Sequence, residues 1–246
     1  MTPDRLREAL AAVARDLTGA RCLTCGTVTD GPGLCPDCAG EIAPRLSGFC
    51  PGCGELAEMP EQPVTRCSRC RVTPRPWAAM GFFGEYEGRL RDAVLSLKFG
   101  GRLAGLGLLS DLMRHAYRLH RERPGGFCHE GPELVAAVPM HWRRLLSRGY
   151  NQSAELARAV ADAIGVPMVP GALRKTRHTT PQSRLGARER KANLAGAFVA
   201  DTALAGGRRI LLVDDVMTTG STLEAAAKAL LTAGAARVEV LVAARD

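Results

Sequence analysis

Aromatic residues make up only 4% of the 246-residue chain, which leaves few platforms for a protein that grips single strands by base stacking. Nowhere does the sequence offer the long uncharged apolar run that a membrane span needs. Asp4, Arg5, Arg7, Glu8, Arg15 and Asp16 interrupt the first sixteen residues, so no secretory apolar core forms there, and a cytoplasmic chain is expected. Residues 1–19 read instead as a short amphipathic helix, with Thr2 as cap and Pro3 at its first position. The string G-K-[ST] is absent, which excludes a Walker phosphate loop. Low-complexity segments are missing too, and in the N-terminal half nothing repeats beyond the cysteine pairs described below. With 46% hydrophobic residues the chain can bury a core, which excludes wholesale disorder. Its net charge of +8 favours an anionic partner, whether phosphorylated metabolite, nucleic acid or acidic surface.

Cysteine is plentiful. Eight of the nine form four C-x-x-C pairs: Cys22/Cys25, Cys35/Cys38, Cys50/Cys53 and Cys67/Cys70. Each pair presents two thiolates from one tight turn, and two pairs complete a tetrahedral S₄ zinc site. Disulfides would need an oxidising compartment, and redox C-x-x-C motifs do not come four within fifty residues, so zinc is the expectation. Sequential pairing gives one zinc over 22–38 and a second over 50–70, a double zinc ribbon; RING-like cross-pairing is the open alternative. Such closed S₄ sites are structural. Cys128 stands alone as an incidental thiol. Thr73-Pro74-Arg75-Pro76 reads as a hinge out of this module, and Trp77 to Tyr86 as a strand or hairpin.

Helical spacing follows at Leu90, Ala93, Val94 and Leu97, then over Leu103–His120 with Leu106, Leu109, Met113 and Ala116 on one face. From Leu134 onward strands (Leu134–Val138, Ile210–Val213, Arg237–Val242) alternate with helices (Ser153–Ile164, Ser221–Ala233). The expected fold class is therefore α/β: a mostly parallel sheet flanked by helices. Ligands of such sheets sit beyond the carboxyl ends of the strands, which singles out the loops Pro139–Asn151 and Asp214–Ser221. In the second loop, Asp214 and Asp215 precede Thr218, Thr219, Gly220, Ser221 and Thr222. Hydroxyls and first-turn N–H groups there make a phosphate cradle, and glycine lets the backbone approach the anion. The two carboxylates would repel a phosphate, so they are expected to face sugar hydroxyls or a Mg²⁺ ion. Ser221-Thr222-Leu223-Glu224 also reads as a capping box, which explains Ser221 and Glu224 but not the acidic pair.

The run ILLVDDVMTTGST from Ile210 to Thr222 resembles the motif by which type I phosphoribosyltransferases bind 5-phosphoribosyl pyrophosphate (PRPP). Together with the four cysteine pairs, Leu97-Lys98-Phe99, Val138-Pro139-Met140-His141, the stretch Arg148–Gln152 (RGYNQ) and the segment from Gln182 to Phe198, the chain resembles the ComF family of competence-associated phosphoribosyltransferase-like proteins. The resemblance implies that Asp214 and Asp215 meet the ribose hydroxyls and Mg²⁺, and that Thr218, Thr219, Gly220, Ser221 and Thr222 hold the 5′-phosphate. It implies a pyrophosphate loop with His141, Arg143, Arg144 and Arg148, and a closing lid over 174–192 with Arg184, Arg188 and Arg190. It also implies a division into an N-terminal helix (1–19), a double zinc ribbon (20–73) and a phosphoribosyltransferase-like domain (77–246). In that domain 77–121 is hood-like and 133–246 is the PRPP-binding core. Expected partners are PRPP or a related phosphorylated ribose, single-stranded DNA during natural transformation, and a protein docked on the ribbon. The alternative on the same fold is a non-catalytic single-strand binder, for which Phe99, Trp142 and Tyr150 are the candidate stacking residues.

Overall fold

A computed structural model of the chain describes residues 20–31, 33–99, 104–142, 145–146, 149–177, 194 and 196–246. The helix expected in 1–19 lies outside these residues. The cysteine-rich segment has little regular structure: strands β1 (Ala20–Arg21) and β2 (Val28–Thr29) pair antiparallel, and the short helices α1 (Pro36–Gly40) and α2 (Ser68–Val72) start directly after Cys35 and Cys67. The rest is built on β3 (Met80–Glu85), α3 (Gly88–Phe99), α4 (Ala104–Glu122), β4 (Leu134–Ala137) and α5 (Gln152–Ile164). These are followed by β5 (Leu173–Lys175), β6 (Phe198–Ala200), α6 (Thr202–Ala205), β7 (Arg209–Met217), α7 (Ser221–Thr232) and β8 (Arg237–Arg245).

Four strands form a parallel sheet in the order β3–β8–β7–β4. Its central strands are buried on both faces, and alternate side chains divide between two cores, as a period of two dictates. Ile210 and Leu212 of β7, with Val238 and Val240 of β8, face a core completed by Leu223, Ala226, Ala227 and Leu230 of α7. Leu211, Val213 and Leu241 face the opposite core, formed with Leu156, Ala157 and Val160 of α5 and Leu109, Met113 and Tyr117 of α4. The stretch expected as a strand or hairpin over 77–86 is one strand, because β8 pairs with it along Met80–Glu85. Gly81 is what lets α4 come so close: a Cβ there would lie 2.6 Å from Phe127 and 3.0 Å from the His120 ring. Among the described residues, no helix is long and apolar enough to cross a membrane.

His120 closes the edge of the sheet. Its Nε2 lies 3.2 Å from the amide nitrogen and 3.0 Å from the carbonyl oxygen of Phe82, and the side chain is almost wholly buried. Burial, reinforced by the nearby Arg123 charge, lowers its pKa from the usual 6.5 to about 4. The folded ring is therefore neutral where an unfolded one binds a proton. Stability that is complete above about pH 6.5 is lost as the pH falls toward 4, by about 2 kcal/mol between pH 7 and pH 5. Urea unfolding at those two pH values checks this: His120→Gln should show a pH-dependent loss smaller than wild type by that amount.

Candidate functional site

The four cysteine pairs gather into two groups, Cys22/Cys25/Cys35/Cys38 and Cys50/Cys53/Cys67/Cys70, with the four sulfurs of each within 4.8 Å of one another. This is the sequential arrangement. The Sγ atoms of Cys25 and Cys35, and those of Cys53 and Cys67, are 3.7 Å apart. A tetrahedron of ~2.3 Å Zn–S bonds has edges of about 3.8 Å, so both groups fit zinc. Within the second group the Cys53 side chain, by hydrogen bonding, pulls the Cys50 thiol down to about 4, and the same bond pushes Cys53 up. The surroundings of the two groups differ. Among the described residues, the first buries Cys22, Cys35 and Cys38 with Leu34 packed on them. In the second, Cys50, Cys53 and Cys70 belong to the main core beside Phe49, Trp77, Met80 and Phe82.

The second candidate site follows from the topology. The helix α5 after β4 packs on one face of the sheet, and the helix α7 after β7 packs on the other. Between these adjacent strands the connections part to opposite sides, opening the crevice in which open α/β sheets hold ligands. Both loops singled out from the sequence leave the sheet here. The acidic pair, expected in the loop, is instead part of β7, because the nine-residue β8 continues the ladder with Asp214 opposite Val242 and Met217 opposite Arg245. The loop proper shrinks to Thr218–Gly220. Asp214 is oriented from below: its Oδ1 accepts from Ser153 Oγ at 2.6 Å and from the Asp215 amide at 2.9 Å. Asp215 Oδ1 accepts from the Val216 amide at 2.7 Å.

The capping box does not form. Gly220 is the N-cap of α7, with φ 77 in the left-handed region and no side-chain cap hydrogen bond, and Ser221 is the first helical residue. Ser221 Oγ meets Thr219 Oγ1 at 3.0 Å, while Glu224 pairs with Arg75 and Lys228. Gly220 brings no capping side chain of its own, and Thr219 Oγ1 accepts from the Ser221 amide at 3.4 Å, at a helix terminus whose dipole favours an anion. A hollow of about 40 Å³ is lined by Asp214, Val216, Met217 and residues 218–223. A groove of about 500 Å³ between β6 and α7 is far roomier, but mostly apolar residues line it and it lies off the strand ends. The small hollow, not the groove, carries the convergent polar groups of a ligand site. Gly220→Ala is expected to cost about 1–2 kcal/mol from the left-handed backbone alone. Its new Cβ would also lie 2.4 Å from Met217 Cε. Urea unfolding measures the loss, and a variant as stable as wild type would contradict the assigned conformation.

On the neighbouring loop His141 is buried against the Trp142 ring, whose centroid is 5.6 Å away, while Trp142 itself is 57% exposed. Tyr150 donates its hydroxyl to the Leu97 carbonyl, and Asn151 Nδ2 donates to Val138 O at 3.2 Å. Arg143, Arg144 and Arg148 lie outside the described residues, as do the lid residues Arg184, Arg188 and Arg190. Of the expected lid 174–192, residues 174–177 are described: β5 pairs antiparallel with β6, Lys175 opposite Phe198. Sequence reasoning missed Ser153, which orients Asp214, and it missed Arg75 and Trp77. Arg75 Nη2 donates to the Thr219 carbonyl at 3.3 Å, and Trp77 Nε1 donates to the Gly52 carbonyl at 2.7 Å. The expected hinge over 73–76 is thus pinned at both the loop and the cysteine group.

A family model described as phosphoribosyl transferase domain matches residues 150–246. The chain is 35% identical over 208 residues to the DNA utilization protein YhgH of Salmonella typhimurium, covering 85% of this chain and 88% of that protein. It is 30% identical over 218 residues to competence protein F of Haemophilus influenzae, with the same 85% and 88% coverage. A solved structure of glutamine PRPP amidotransferase from B. subtilis, complexed with ADP and GMP, matches 61% of this chain and 30% of its own length at 21% identity and TM-score 0.39.

Proposed function

The chain belongs to the ComF family of competence-related, phosphoribosyltransferase-like proteins, and on that premise we propose that it binds PRPP or a related ribose 5-phosphate where β4 and β7 end. The observation that carries this reading is the glycine-capped N-terminus of α7 directly beside two oriented carboxylates. A phosphate alone would shun the acids, and a sugar alone would not need the helix terminus; a phosphorylated ribose uses both. In this reading Thr218, Thr219, Gly220, Ser221 and Thr222 hold the 5′-phosphate, and Asp214 and Asp215 hold the ribose hydroxyls. His141, Arg143, Arg144 and Arg148 serve the pyrophosphate, and Arg184, Arg188 and Arg190 close over it, their guanidinium groups matching phosphate oxygens two at a time.

Asp214 and Asp215 also supply the hard oxygen donors that Mg²⁺ prefers, and such an ion would offset the charge of a departing pyrophosphate. The reaction class we assign is phosphoribosyl transfer to an acceptor nucleophile, within a cytoplasmic role in DNA uptake. The zinc module (20–73) serves as support and as a docking face, and 77–246 forms the ligand-binding domain. Calorimetric titration of PRPP into zinc-replete protein, with and without Mg²⁺, tests the proposal. Binding that depends on Mg²⁺ is expected, and no binding by folded protein would sink it. One observation favours a second reading: Trp142 and Leu146 are exposed at 57% and 77% in the loop whose sequence also carries three arginines, a composition suited to single-stranded DNA. That reading predicts oligonucleotide affinity falling steeply with salt in the same protein.

A further inference from the structure

The phosphate loop is held from behind by the second cysteine group, through two arginines. Arg245, at the end of β8, donates from Nε to the Cys53 carbonyl at 3.0 Å and from Nη1 at 3.3 Å to the Met217 carbonyl, which it shares with the Asp246 amide at 3.0 Å. Arg75 donates from Nη2 to the Thr219 carbonyl at 3.3 Å and pairs through Nη1 with Glu224 Oε2 at 3.0 Å, its side chain only 13% exposed. The Arg75 guanidinium lies over the Trp77 ring, 5.7 Å from the centroid, and the Trp77 indole is itself fixed to the Gly52 carbonyl. Arg245 thus joins the loop to the Cys50/Cys53 turn directly, and Arg75 is tied to that turn through Trp77. Burial lowers the pKa of Arg245, but its partners are carbonyl oxygens that suit its guanidinium form.

All peptide bonds described here are trans. In a trans peptide the carbonyl of one residue and the N–H of the next point in opposite directions. Taking up the carbonyls of Met217 and Thr219 on the cysteine side therefore turns the N–H groups of Thr218 and Gly220 the other way. Two N–H groups turned to one side, with one residue between them, can serve an anion as backbone nests do. We infer that Arg75 and Arg245 are positioning residues: they aim the N–H donors of the phosphate loop and carry that geometry from the Cys50–Cys70 turns. The first cysteine group takes no part: among the described residues its side-chain pairing with the sheet domain, Glu41 with the half-buried Arg89, involves no residue of the loop.

The inference rests on the proposed phosphate role of this loop for its effect on ligand, but not for its effect on the loop. Arg75→Gln, Arg245→Gln and Arg75→Lys are compared with wild type and with Arg208→Gln, an exposed ion-pair change at the opposite end of β7. Zinc content is measured first, and amide hydrogen exchange over 216–223 is then followed without ligand. The glutamine variants, zinc-replete, should exchange at least about tenfold faster there and bind PRPP with Mg²⁺ about tenfold more weakly, the loss of one charge-assisted hydrogen bond. Arg75→Lys keeps the charge but loses the fork, so it should restore the pairing with Glu224 and the melting temperature without restoring the affinity. A merely structural arginine would have both restored together. Unchanged exchange in both glutamine variants overturns the inference. Faster exchange in a protein whose wild type does not bind PRPP leaves the positioning role standing and removes the proposed ligand instead.

Discussion

Asp214→Ala/Asp215→Ala is expected to bind PRPP in the presence of Mg²⁺ at least about 100-fold more weakly than wild type, as two charged hydrogen-bonding groups of about 1.5–3 kcal/mol each imply. The sign of this effect is informative. PRPP is a polyanion, and removing two negative charges from the edge of its pocket should strengthen binding if charge repulsion alone were at work. Weakening therefore requires that the carboxylates touch something they attract, which here means ribose hydroxyls or a cation. The same variant titrated with inorganic phosphate should bind it as well as wild type or better, because phosphate needs only the α7 terminus. Ser153→Ala sits between these extremes. It removes the 2.6 Å hydrogen bond that orients Asp214 but leaves the charge, so a loss of about three- to tenfold is expected. Isothermal titration of PRPP and of phosphate into all three proteins measures the set. Equal PRPP affinity in wild type and the double variant would remove the acidic pair from the site.

Much of this site is legible in the linear chain because it is local. The run from Asp214 to Thr222 lies within one strand–turn–helix unit, so its residue types and order suffice to suggest a ligand with both hydroxyls and phosphate. The cysteine spacing is equally local. What local sequence cannot show is set by partners elsewhere in the chain. The strand runs on through Asp214 and Asp215 because β8 is long enough to pair with them. Glu224 looks like the far end of a capping box, yet it is claimed by Arg75, 149 residues away, and the cap passes to Gly220. Arg75 itself lies in a Pro-rich stretch with every local mark of a hinge. Only the fold brings it under the phosphate loop, and there a hinge becomes a strut.

The unequal settings of the two cysteine groups lead to the other large effect. Cys25→Ser/Cys35→Ser removes ligands from a group that, among the described residues, buries three cysteines against a single leucine. Cys53→Ser/Cys67→Ser removes them from a group built into the core with Phe49, Trp77, Met80 and Phe82, and linked by Arg245 to the end of β8. Structural zinc contributes on the order of 10–16 kcal/mol to the fold it closes, and a whole domain has a margin of about 5–15 kcal/mol. Where the metal closes only a satellite loop, its loss stays local. In the main core the same loss exceeds what the sheet holds in reserve, and it exposes the apolar faces of β3 and Trp77 as well. The first variant should lose one equivalent of zinc and keep a cooperative urea transition within about 2 kcal/mol of wild type. The second should lack near-ultraviolet circular dichroism and any cooperative transition at 25 °C. Similar losses in both would mean that the Cys50–Cys70 turns are an appended module, and the sheet would then have to hold its phosphate loop in place without them.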